Sequence, residues 1–271
     1  MMRCSDEALV LRRTPFRETS LLLHCFTRQG GLLAAVARGV RATGRSAVLL
    51  DRAALAGFHT VVIGRSARSA QGLSTLTSVE IMHPRHRLMH QATALLAAQV
   101  AQEILYRFMV PFEPNPNVFE LLEWAWNGLD TGADPLSVMG ICQGRLIRAL
   151  GYGWRTDCCA GCGITARLAY FSAKRGQVVC DRCAAPYIGR TIHGHPAQAG
   201  HRLFPLGNHL HGVLQHLEWT EDFDRLPRTD KAVLYRIGQA CLVQLGKAPL
   251  LSDPPFRQML GLHPVDSLLP A

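Results

Sequence analysis

Cys159, Cys162, Cys180 and Cys183 are spaced C-x2-C-x17-C-x2-C, and no other feature of the chain restricts its folding as much. Each C-x-x-C pair sets two sulfurs on one tight knuckle, and two facing knuckles complete a tetrahedron around a single Zn2+. Four thiolates leave no coordination position for water, so such an ion braces structure and activates no nucleophile. Gly161, Gly163 and Gly176 suit the turns of a ribbon, whereas a redox C-x-x-C pair is expected between a strand and a helix. Two disulfides are the competing use of these cysteines. The total of nine is odd, however, and Cys4, Cys25, Cys142, Cys158 and Cys241 are scattered. Cys158 adjoins Cys159, but only Cys159 keeps the two-residue spacing of a knuckle.

On either side of the array the hydrophobic period changes. Residues 1–82 read as short strands, near 8–13, 19–27, 32–38, 55–64 and 73–82, broken by glycines at 30, 31, 39, 44, 64 and 72. Five such runs predict a small antiparallel barrel of OB type. After Pro84 the pattern becomes helical, with helices expected over 91–108, 118–129, 136–150, 203–217 and 229–245, a ribbon at about 156–186, and a proline-rich tail of turns. The fold class is α+β: a five-stranded OB-type barrel over 1–82, then a helical domain over 83–271 with an inserted Cys4 zinc ribbon. A chain of 271 residues divides readily into two such domains.

Charge sharpens this outline. The chain carries 26 Arg, three Lys and a net charge of +9. Arginine offers a planar fork of donors that matches phosphate and stacks on bases, so the bias points to a nucleic-acid partner. Eleven arginines face five acids within residues 1–80, which concentrates the excess in the barrel. On the strand assignment, Arg12, Arg13 and Arg17 flank the first loop, Arg38, Arg41 and Arg45 follow the third strand, and Arg65 and Arg68 precede the fifth. All eight are expected on one rim, as DNA-binding residues. Phe16, in the first loop, is a candidate for base stacking, while Phe26 and Phe58 are expected in the core.

Enzymatic constellations are missing. The sequence has no H-E-x-x-H, no G-x-S-x-G and no Walker-type loop. Its only H-x-E, His216-Leu217-Glu218, follows both cysteine pairs instead of preceding them, against the deaminase order. His83, His86 and His90, and again His193, His195 and His201, are read as ordinary histidines rather than a second metal site. The N-terminus has no leader pattern and no run spans a membrane, which predicts a soluble protein of a reducing, cytoplasmic compartment.

Three stretches carry a wider likeness. "ALVLRRTPFRETSLLLHCFTRQGGLLAAVARGVR", "RLIRALGYGWRTDCCAGCG" with "YFSAKRGQVVCDRC", and "LGKAPLLS" resemble, in that order, the opening, the ribbon and the closing helix of the RecO family of bacterial recombination mediators. The loop after Gly39 departs from many relatives by carrying Arg in place of Lys, and some relatives lack the cysteines. The resemblance implies a nucleoid-associated protein that is not an enzyme. It implies binding of single- and double-stranded DNA, annealing of complementary strands, union with RecR, and help to RecA in displacing single-strand-binding protein (SSB) at gaps. Arg228, Lys231, Arg236 and Lys247, on or near the last long helix, are the candidates to receive the acidic C-terminal tail of SSB, the alternative being that they form a solvated helix face. A sequence-specific regulator that reads DNA through the ribbon is the alternative; against it, the segment 163–179 reads as a hairpin with no helix to enter a groove.

Overall fold

The computed structural model describes residues 3–42, 55, 57–66, 73–188, 203–217, 226–245 and 250–262. They form two compact units, Met1–Gly132 and Ala133–Ala271.

Five strands open the first unit: β1 (Arg3–Phe16), β2 (Ser20–Thr27), β3 (Gly31–Ala37), β4 (Thr60–Ser66) and β5 (Ser74–His83). They close into a barrel of order β1-β2-β3-β5-β4, antiparallel except where β3 meets β5. Closure depends on β1. Its first half pairs with β4 and its second half with β2, and an irregularity between Val10 and Arg12 bends the strand from one neighbour to the other. Alternate residues, Ala8 and Val10, Leu23 and Cys25, Leu33 and Ala35, Val61 and Ile63, fill the interior with Leu55 and Leu76. Full burial of each larger one contributes roughly 1.5–3 kcal/mol. Phe26 and Phe58 are buried as expected.

The strands end at His83, near the boundary expected after 82, but the compact unit closes only at Gly132. It takes in α1 (Ala92–Phe108) and α2 (Pro116–Thr131). Two arginines explain why. The Arg28 guanidinium, at the β2–β3 turn, reaches Glu7 at 2.6 Å, Glu120 at 2.9 Å and Glu123 at 3.1 Å, and lies 4.6 Å from the centre of the Phe119 ring. Arg85 is 1% exposed and donates to Phe58 O, Thr60 Oγ1 and Asn127 Oδ1. Local signals fix the helix ends: Asn115 accepts from Val118 N, Pro116 opens the first turn, and Gly132, at φ 96°, closes α2 in the left-handed region.

In the second unit α3 (Pro135–Ala149) packs on α6 (Arg228–Gln244). A Cβ on Gly238 would stand 2.2 Å from Gln143 Oε1, so glycine is what lets the two helices approach. The ribbon follows α3 as a hairpin, β6 (Leu168–Ser172) and β7 (Gln177–Cys180), ending in the short α4 (Asp181–Ala184). Two expectations change here. The helix foreseen over 203–217 begins as β8 (Leu203–Pro205), the third strand of the ribbon sheet, and only then becomes α5 (Asn208–Gln215). The tail read as turns holds α7 (Asp253–Met259), whose prolines occupy the first turn, where no backbone N–H donor is required.

A candidate metal centre and a candidate nucleic-acid interface

The first knuckle folds on itself: Gly163 N donates to Cys159 O at 2.9 Å and Cys159 N to Ile164 O at 2.8 Å, while Ala160 N ties it to Val178 O of β7. β7 delivers Cys180, and α4 turns Cys183 back beside it. The four sulfurs of Cys159, Cys162, Cys180 and Cys183 all lie within 4.8 Å of one another, with Cys162 and Cys180 at 3.7 Å. Metal–sulfur bonds of about 2.3 Å give a tetrahedral edge of about 3.8 Å, so the sulfurs stand as the ligands of one such ion would. A Cβ on Gly161 would come within 2.9 Å of Cys183 Sγ, which makes that position intolerant of any side chain. Cys158, half-buried, stays outside the group.

Electrostatics point the same way. Burial opposes ionisation of Cys159, yet the N–H groups of Cys180 and Gly161, each 3.3 Å from its sulfur, hold that thiol down at about 6. Hydrogen bonds with Cys162 and Cys180 push the Cys183 thiol up to about 12. One thiolate forms easily and obstructs the next, an opposition that a central dication removes. Among the described residues this is the one group of three or more ligand-bearing side chains gathered in that way; His83, His86 and His90 form none, and His193, His195 and His201 lie outside the described residues.

Of the arginines expected to contact DNA, Arg12, Arg13, Arg17, Arg38 and Arg41 are exposed. Arg41 N donates to Thr19 O at 2.8 Å, joining the turn after β3 to the β1–β2 turn and gathering Arg17, Arg38 and Arg41 at one end of β2. Arg17, at φ 55°, lays its guanidinium 5.4 Å from the centre of the half-buried Phe16 ring, which offers a cation and a π face together. Arg12 lies 5.8 Å from the centre of the Tyr106 ring of α1. Arg65 does not join this rim. It is half-buried, its Nη2 lies 3.4 Å from where a Gly30 Cβ would be, and Gly30 is in the β2–β3 turn, at the opposite end of β2. Arg45 and Arg68 lie outside the described residues.

The basic set on the last long helix divides as well. Arg228 is exposed and donates to Leu260 O at 2.6 Å. Lys231 is buried and lies 3.2 Å from Asp134, the N-cap of α3. Arg236 is 7% exposed, with its Nε unpartnered among the described residues; burial, and then the positive charge of Arg257, lower its pKa. Neither residue belongs to a solvated face, and Lys247 lies outside the described residues. Reading the sequence also missed Arg28 and Arg85, which entered only as charge. Their partners sit far along the chain, and no local spacing betrays them.

Residues 1–85 match the family described as Recombination protein O N terminal, and residues 89–191 match Recombination protein O C terminal. Among curated proteins, a DNA repair protein RecO of Listeria welshimeri is 27% identical over 183 residues, covering 68% of this chain and 69% of the relative. One from Geobacter metallireducens is 28% identical over 199 residues, 69% of this chain and 79% of the relative. A third, from Bacillus pumilus, is 25% identical over 182 residues, 67% and 69% of the two chains. Among the described residues no helix is long and apolar enough to cross a membrane.

Proposed function

The chain belongs to the RecO family of DNA repair and recombination proteins, and from that premise we propose that it is a cytoplasmic, nucleoid-associated mediator that binds single- and double-stranded DNA and anneals complementary strands. With RecR it would assist RecA onto gaps coated by SSB. The observation that carries this reading is the group of exposed Arg17, Arg38 and Arg41 at one end of a closed five-stranded barrel; Arg12 and Arg13, expected to flank the first loop, are exposed too but lie within β1, opposite His24 and Leu23 of β2. A barrel of this type holds a strand by neutralising phosphates and stacking bases, and the Phe16–Arg17 pair supplies both. Annealing asks only that two strands be held with charge screened and bases free. The protein would need no catalytic residue, and we read it as not an enzyme.

The metal would be one structural Zn2+ on Cys159, Cys162, Cys180 and Cys183, whose sulfur spacing suits it. Its chemistry there is to neutralise thiolates and join two knuckles. For the SSB tail, Arg236 is the best-supported contact of its set: a guanidinium nitrogen with no partner among the described residues, near Arg257, favours a carboxylate. Arg228 is the exposed companion, while Lys231 serves α3.

Strand annealing on SSB-coated oligonucleotides without added nucleotide tests the whole reading. Annealing should proceed, and if about five phosphates of a single strand are neutralised, log affinity should fall with log salt at a slope near about −3.5. A protein that fails to retain oligonucleotide even at low salt would remove the mediator role.

A further inference from the structure

The ribbon carries a second basic surface, at the tip of its hairpin. Arg155 N donates to Gly176 O and Val178 N to Arg155 O, both at 3.0 Å, which lays Arg155 beside the turn between β6 and β7. That turn carries Lys174 and Arg175. Arg155, Lys174 and Arg175 are all exposed, and Tyr152, at 56% exposure, stands among the most exposed large side chains of the chain. Arg175 is held in place, donating from Nη1 to Ala160 O and from its backbone N to Ser172 O, each at 3.2 Å. Beside it lies a cavity of about 220 Å³ lined by Gly161, Ser172, Arg175, Cys183, Tyr187 and Leu203, among others.

The charges leave little choice of ligand. From 155 to 183 the ribbon holds Arg155, Arg167, Lys174, Arg175 and Arg182 against two carboxylates, Asp157 and Asp181. Even a zinc tetrathiolate, which carries two negative charges, leaves the segment net positive. Three exposed cations at one turn, with Tyr187 lining the cavity beside Arg175 and the exposed Tyr152 three residues before Arg155, match a repeating anion that also offers flat rings.

We propose that this hairpin tip is a second nucleic-acid seat, separate from the barrel rim, in which Arg175 holds one phosphodiester group. Arg155 and Lys174 hold neighbouring phosphates, and Tyr152 and Tyr187 lie against bases. Resting on the annealing reading above, it adds what a single groove lacks: a grip on the second strand.

The test uses the full-length, metal-loaded protein with Arg155→Ala, Lys174→Ala and Arg175→Ala combined. Annealing of complementary oligonucleotides should slow by about tenfold or more, and the salt slope for a long poly-dT should become shallower by about 2, three phosphates at roughly 0.7 each. Should the triple variant lose metal, Arg155→Glu with Lys174→Glu, both exposed and away from the knuckles, reads the same quantities. An unaltered annealing rate and slope in a metal-replete variant overturns the second seat while leaving the barrel's role intact. Oligo-glutamate displacing the ribbon contact as well as poly-dT does would assign the surface to an acidic protein segment and overturn it too. If the wild-type protein itself retains no oligonucleotide, the mediator reading fails first.

Discussion

The barrel and the ribbon solve the same problem of closure with opposite means. The barrel packs twelve buried residues, Ala8 through Leu76, into one interior. Among the described residues the ribbon's buried cluster is four residues, and two of them, Cys159 and Cys180, belong to the candidate metal site. One region is held by apolar area, the other by sulfur and whatever the sulfur binds. A sheet of three short strands with so small a core falls below what apolar burial sustains alone. The barrel should therefore be indifferent to metal, and the ribbon should not.

Removing the metal gives the largest effect. Apparent zinc binding coupled to folding is worth on the order of 10 kcal/mol. Chelation, or Cys159→Ser, should abolish hydrogen-exchange protection over β6 and β7 while β1–β5 keep theirs. Protection lost equally in both regions would mean that the barrel too depends on the ion. A stable, zinc-replete Cys159→Ser protein would count against Cys159 as a ligand.

The converse perturbation is Arg85→Met. This guanidinium is buried against Trp126, whose ring centre lies 5.8 Å away, and near Glu123 at 3.7 Å; burial lowers its pKa while Glu123 and Asp130 oppose the fall. Its loss strands Phe58 O and Asn127 Oδ1, and removal of one member of a buried charge network costs about 3–5 kcal/mol. The barrel unit's melting temperature should drop while metal content stays constant. A drop of metal with no change in melting would invert the comparison.

Gly161→Ala comes next. The added Cβ meets Cys183 Sγ at 2.9 Å, and relief requires a shifted knuckle, a distortion of about 1–3 kcal/mol. Competition with a chromogenic chelator should show weakened metal affinity by about tenfold, and barrel stability should be untouched.

The same contrast decides what could be read from the chain beforehand. The candidate metal site was legible because its information is local: two cysteine pairs of C-x-x-C spacing, with Gly161 where a side chain would strike a sulfur. β2, β3 and β5 were legible as short runs rich in Val, Leu, Thr and Phe between turn residues, although burial is nearly continuous along β3 and confined to the start of β5. β1 was read as starting at Ala8, since Asp6 and Glu7 have no apolar period; they are in the strand because their backbones pair with Ile63 and Val62 of β4. Leu203, Phe204 and Pro205 are too few to show a period, so β8 disappeared into the helix after it. The arginines were legible as a total and not as positions. Arg28 and Arg85 meet carboxylates and carbonyls supplied by folding, Arg65 turns to a distant glycine, and only at the β1–β2 and post-β3 turns does exposure follow from sequence.

That leaves the smallest effect on stability, which separates fold from function within the barrel. Arg17, Arg38 and Arg41 are exposed and have no carboxylate partner among the described residues, unlike Arg28 with its three. Reversing all three to Glu should leave the melting free energy within about 0.5 kcal/mol, since surface substitutions away from caps, cores and networks do little. The same protein should lose oligonucleotide affinity steeply, and its salt slope should become shallower by about 2. A fall in stability as large as that of Arg85→Met would mean the rim braces the barrel as Arg28 does, and its cations would then be part of the fold rather than a surface kept for phosphate.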